Sequence, residues 1–210
     1  MELTSYIEIF EGYFKKKFWG NRDGSSGPNS AYQETKILRK NLSDLILNLK
    51  IESLFDAGCG DLNLIKYLDP EALGQIKNYI GAECVFELTN QNKINYQNYT
   101  HWDFVTMDIL IDPIPCVDLI LCRDVVHYFP NEQIFQFLEN CQRSGSKYLL
   151  ITHNTQAPIS ANSETEFGLF RPVNLTQRPF FLEGLKLSIQ EDFMAKELAL
   201  FELGDKDKFK

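Results

Sequence analysis

Apolar positions along the chain change period several times, and the changes predict its elements. Residues 3–18 read as an aromatic-rich helix, and a polar, Gly-rich loop, residues 20–30, follows. From Tyr32 to Leu49 the apolar positions Ile37, Leu38, Leu42, Leu45, Ile46 and Leu49 recur at a 3.6-residue spacing, which predicts a helix with one buried face. Short apolar runs then alternate with helical stretches. Strands are predicted at 51–56, 79–83, 102–107, 117–122, 147–152, 185–189 and 197–203. Helices are predicted at 62–68, 87–96 and 131–141, the last with Asn131 as its N-cap. Strands alternating with helices imply an α/β, Rossmann-like fold: a mostly parallel seven-stranded sheet with helices on both faces. The last two strands suit an antiparallel edge. Residues 153–181 form a long irregular stretch, a length usually functional or disordered.

Composition narrows the reading. The 210 residues fit one domain, 1–210, in which 1–49 supply helices and a covering loop, 50–203 the core sheet, and 153–181 a substrate loop. A net charge of −8 argues against nucleic acid as the main partner. No apolar stretch is long enough to span a membrane, and no signal peptide opens the chain. Cys59, Cys84, Cys116, Cys122 and Cys141 form no CxxC pair, and an odd count fits the reducing cytoplasm. Neither the cysteines nor the scattered histidines suggest a metal site.

Chemistry concentrates at Leu54-Phe55-Asp56-Ala57-Gly58-Cys59-Gly60-Asp61, where a strand runs into a turn with glycines at 58 and 60. The dinucleotide pattern GxGxxG would need glycine at 63, where the chain has Asn63. Asp56 would also repel a pyrophosphate but suits a cation such as the methionyl amine of S-adenosylmethionine. Glu83, twenty-seven residues on, ends the next strand and can accept two ribose hydroxyls. Asp108 follows the third strand, where a carboxylate can take an adenine amino group while Met107 or Ile109 covers the ring. Cys84, beside Glu83, joins this set. Trp19, Ser26 and Gly27 sit in the loop expected to fold over the cofactor together with Asn21, Arg22 and Ser25. Its serines and N–H groups could hold the methionyl carboxylate.

These acids and glycines resemble the class I S-adenosylmethionine-dependent methyltransferases over residues 30–203. That family carries an acid-x-Gly-x-Gly turn (Asp56, Gly58, Gly60) and acids corresponding to Glu83 and Asp108. The resemblance implies a seven-stranded sheet with its last strand inserted antiparallel. A narrower likeness rests on Ser26-Gly27-Pro28-Asn29-Ser30, Cys122-Arg123-Asp124, Ser144-Gly145-Ser146-Lys147-Tyr148-Leu149-Leu150 and Arg171-Pro172-Val173-Asn174-Leu175. They resemble a methyltransferase group with SGPGS, CRDxxxH, SGxKYLL and WRPxNL motifs, from which Asn29 and Phe170 depart. Some bacterial relatives of that group are associated with surface-polysaccharide modification, including methyl phosphoramidate. The implied acceptor is a small anionic sugar, sugar phosphate or phosphoramidate precursor.

The segment Leu119–His127 ends the fourth strand, where the transferable methyl group is expected. His127 is the candidate general base. Asp124, three residues earlier, could orient it, bind substrate or act as base itself, and His153 is a further base candidate. Arg123 borders the cofactor and either binds an anionic substrate or pairs with an internal acid. Arg171, Asn174 and Arg178 are candidate substrate ligands, because arginine grips phosphate or carboxylate bidentately. Protein or RNA methylation, a non-catalytic partner subunit that binds the cofactor, and a nicotinamide oxidoreductase are the competing readings.

Overall fold

The computed structural model describes residues 6–20, 24–191 and 196–204. Its sheet has seven strands: β1 (Ser53–Ala57), β2 (Asn78–Glu83), β3 (Trp102–Thr106), β4 (Leu119–Cys122), β5 (Tyr148–His153), β6 (Leu185–Gln190) and β7 (Glu197–Glu202), in the order β3-β2-β1-β4-β5-β7-β6. The first five pair in parallel. β7 inserts antiparallel between β5 and β6, so the sheet is mixed at this side. β1 and β4 are buried along almost their whole lengths. That explains their unbroken apolar runs, since parallel central strands carry layers on both faces.

Helices α1 (Tyr6–Lys15) and α5 (Asn131–Arg143) border one apolar core. Helices α2 (Lys36–Asn48) and α3 (Pro70–Gln75) border the other. Helix α4 (Phe86–Asn95) packs along β2 and β3. In α2 the buried stripe is Leu38, Leu42, Leu45 and Ile46, whereas Ile37 is exposed.

Three local expectations change for physical reasons. The predicted helix over 62–68 is a turn and a 3₁₀ segment at Ile65–Tyr67, because Leu62 adopts φ +60°. The helix instead starts at Pro70, whose fixed φ suits a first turn. Asn131 is not an N-cap but the first residue of α5. Its amide donates to the Asn162 carbonyl (3.0 Å), and its side-chain oxygen accepts from Arg171 (2.6 Å). The stretch after β5 contains a 3₁₀ turn, Ile159–Asn162, yet is tied into the core by the fully buried Val173 and Leu175. Among the described residues no helix is long and apolar enough to cross a membrane.

Candidate active site

A cavity opens along the C-terminal edges of β1 to β4, where an open parallel sheet leaves a crevice between its loops. At its centre the β1 turn is shaped by glycine. Gly58 has φ +78° and a Cβ there would collide with the Val125 side chain; Gly60 has φ +55° and a Cβ would collide with Ser26 Oγ. Asp56, 5% exposed, accepts a hydrogen bond from Tyr79 Oη (2.9 Å). Burial is the chief reason its pKa is pushed up to about 7, against the pull of Tyr79. Beside it, Glu83 accepts from the N–H groups of Gly60 (3.2 Å), Cys84 (2.9 Å) and Val85 (3.1 Å). Burial nevertheless raises its pKa.

Cys84, Met107 and Ile109 line the end of the cavity near β2 and β3. Asp108 does not reach the wall. Its Oδ1 accepts from Leu110 N–H (2.9 Å) and from the Tyr6 hydroxyl, so α1 has taken the place assigned to an adenine amino group. Trp19, Ser26 and Gly27 also line the cavity, while Asn21 and Arg22 lie outside the described residues. The loop serines already hold a carboxylate, the chain's own: Asp61 accepts from the N–H groups of Ser25 (2.5 Å) and Ser26 (3.3 Å) and from Ser26 Oγ (2.6 Å). That contact latches the loop to the β1 turn and occupies the donors expected to bind the methionyl carboxylate.

The turn after β4 carries a charge cluster. Arg123 donates to Glu191 Oε2 (2.6 Å), Ser30 Oγ (3.0 Å) and the Asn29 carbonyl (3.0 Å), which selects the internal pair over a free anion site. Asp124, at φ +60°, is gripped by Lys196 Nζ at 2.6 and 2.8 Å, with Arg123 at 3.3 Å. Burial acts to raise the Asp124 pKa, but Arg123 and Lys196 overcome it and hold the carboxyl well below the usual range. Asp124 lines the cavity and, held ionised, is a poor proton acceptor.

Neither His127 nor His153 reaches the cavity wall. His127 is fully buried, and burial lowers its pKa to about 4. A general base must come within hydrogen-bond reach of the proton it takes, so this position does not suit the role. His153 is also fully buried, and its Nδ1 accepts from the Leu175 N–H (3.1 Å), which makes it a support for the long connection.

Two of the three candidate substrate ligands, Arg171 and Asn174, are tied by their side chains to the chain's own polar groups. Arg171 donates to the carbonyls of Phe129 (3.1 Å) and Ala161 (3.2 Å) and to Asn131 Oδ1 (2.6 Å). Asn174 donates to the Thr155 carbonyl (3.0 Å) and accepts from Thr176. Arg178 is exposed and away from the cavity; its carbonyl accepts from Asn162 (2.6 Å). The WRPxNL-like motif therefore fastens the connection, while Phe170 at its start faces the cavity.

Sequence reasoning missed Tyr79, Glu191, Lys196 and the aromatic side chains Phe10 and Phe14 of α1. Phe10 and Phe14 are legible as an aromatic helix face. Lys196, by contrast, lies 72 residues from Asp124, and no local pattern joins them.

No protein-family model matches the sequence, and comparison with curated proteins finds none similar. Solved structures do match in fold. Magnesium protoporphyrin IX methyltransferase (ChlM) from Synechocystis PCC 6803, with bound SAM, superposes with a TM-score of 0.62 at 13% identity, covering 96% of this chain and 98% of that one. An S-adenosylmethionine-dependent methyltransferase from Clostridium acetobutylicum ATCC 824 gives 0.59 at 13% identity, covering 82% and 94%. The N-methyltransferase NodS from Bradyrhizobium japonicum WM9, in complex with S-adenosyl-L-homocysteine, gives 0.54 at 14% identity, covering 77% and 85%. The strand order with its inserted antiparallel β7, together with these superpositions, shows that the chain has the fold of the S-adenosylmethionine-dependent methyltransferases.

Proposed function

We propose that this chain is a cytoplasmic enzyme that transfers a methyl group from S-adenosylmethionine to a small molecule. The observation that carries the reading is Asp56: a buried carboxylate with a raised pKa, facing the cavity at the glycine turn and, among the described residues, without an arginine or lysine in contact. A buried acid of this kind gains most from a cationic ligand. Glu83, one strand away on the same wall, keeps acceptor capacity for ribose hydroxyls. Gly58 and Gly60, both at positive φ, form the turn that lines this wall, and Cys84, Met107 and Ile109 supply an apolar slot for a flat ring. When bound, S-adenosylmethionine supplies a methyl group on a cationic sulfur, open to in-line attack. The chain's own contribution is then alignment of the acceptor, which accounts for much of the rate in such displacements. Asp124, held ionised at the end of the cavity by β4, is placed to orient an acceptor O–H or N–H.

The narrower expectation of an anionic polysaccharide precursor rests on motif resemblance. It would require Arg123 to exchange Glu191 for the substrate. Glu83→Ala tests the donor reading. It should weaken S-adenosylhomocysteine binding by roughly 1–3 kcal/mol, the cost of losing charge-assisted hydrogen bonds. Unchanged affinity would remove Glu83 from the binding set.

A further inference from the structure

The end of the cavity beside β4 is built from rings. Phe10, Phe14, Trp19, Tyr128, Phe129 and Phe170 all line it. They support one another: Tyr128 meets Phe10, Trp19 and Phe170 edge-on, with centroids 6.1, 5.9 and 5.7 Å away, and Phe10 meets Phe129 at 6.3 Å. Three chain segments supply this wall, so it is a product of the tertiary fold. Trp19 Nε1 donates to Tyr128 Oη (3.1 Å), which fixes both rings and leaves the phenol proton to give.

Charge at this end is already neutralised. Arg123 and Lys196 are the cations of the cluster, and Asp124 and Glu191 face them at distances of 2.6 to 3.3 Å. Asp56 and Glu83 add two further carboxylates to the same cavity. An anionic acceptor would find, among the described residues lining the cavity, only Arg123 as a cation, already paired, and a cationic one would meet the sulfonium. Resting on the methyl-transfer reading, we propose that the acceptor is a neutral, planar aromatic molecule bearing a hydroxyl group. Its ring packs against Phe170, Tyr128 and Trp19, and its hydroxyl donates to Asp124.

The transfer balances without another reactant. The hydroxyl oxygen forms the new O–CH₃ bond while the C–S bond breaks with its electron pair staying on sulfur. The hydroxyl proton leaves to water, because Asp124 is held too acidic to keep it. Phenols ionise near pH 10, roughly, so a phenolic acceptor needs no strong base in the site. That fits a cavity whose wall neither His127 nor His153 reaches.

The test uses the full chain, with S-adenosylhomocysteine loading verified first. 2-Naphthol and glucose 6-phosphate are then titrated calorimetrically. The expected result is saturable binding of 2-naphthol and none of the sugar phosphate. In a Trp102→Phe background, which leaves Trp19 as the remaining tryptophan, 2-naphthol should also change the fluorescence. Phe170→Ala, at a side chain 47% exposed, should weaken 2-naphthol roughly 3- to 10-fold and leave S-adenosylhomocysteine affinity unchanged. Binding of glucose 6-phosphate in place of 2-naphthol, or 2-naphthol binding indifferent to Phe170→Ala, would overturn the proposal. If S-adenosylhomocysteine does not bind, the donor reading fails separately, and the same titrations on the free chain still decide the aromatic site.

Discussion

Asp56 and Asp124 are carboxylates on adjacent strand ends with opposite electrostatics, and each makes a prediction. For Asp56 the loss of water outweighs the hydrogen bond from Tyr79, so its folded-state pKa stands raised to about 7. An acid raised on folding favours its neutral form, so this group's contribution to the free protein's stability falls as pH climbs from about 4 to 7. A cationic ligand needs the ionised form. S-adenosylhomocysteine affinity, measured by calorimetry, should therefore drop about tenfold between pH 8 and pH 6. Asp56→Asn should remove both that dependence and most of the affinity. Asp124 is the reverse case, because Arg123 and Lys196 depress its pKa. Its contribution to stability is present above the unfolded carboxyl pKa and lost only as pH falls through the depressed value. Lys196→Met strands Asp124 and Glu191 beside one guanidinium. Urea melts at pH 7 should show a loss of roughly 3–5 kcal/mol, the usual cost of breaking a buried pair. A separate ¹³C titration should show the Asp124 carboxyl moving up.

At the scale of elements, the connection from β5 to β6, expected as a substrate loop, is a fastened strap. The difference yields a sharp test. Arg171→Ala should cost about 2–3 kcal/mol in a urea melt, because it leaves the carbonyls of Phe129 and Ala161 without their guanidinium donor, yet S-adenosylhomocysteine affinity should stay as it was. An arginine held out to solvent for an acceptor would instead leave the urea melt nearly unchanged. The strands and the glycine turn are legible because their physics is local: apolar runs, glycines and an acid at a strand end. The short helix α3 is not, since the apolar spacing of Leu62, Leu64, Ile65 and Leu68 continues across a turn that only the +60° φ of Leu62 betrays. The strap escapes sequence reading because arginine and asparagine in an irregular stretch look solvated. Arg171 and Asn174 are in fact 8% and 1% exposed, with polar atoms committed to backbone carbonyls and side chains. The Asp61 latch belongs to the same class, since loop serines look free until the fold brings a carboxylate to them.

At the scale of the whole molecule, the sheet gathers its cavity from parts that are far apart in sequence: α1 and the loop after it, the ends of β1 to β4, and Phe170 of the strap. The cluster of Arg123, Glu191 and Lys196 ties the β6–β7 hairpin and the loop residues Asn29 and Ser30 to the turn after β4. On the proposed function, this cavity holds S-adenosylmethionine through Asp56 and Glu83. The most direct test is a calorimetric titration of the purified chain at pH 8 with S-adenosylhomocysteine and, separately, with NAD at equal concentration. Saturable, one-to-one binding of S-adenosylhomocysteine and no heat from NAD are expected. Binding of NAD without binding of S-adenosylhomocysteine would contradict the proposed function.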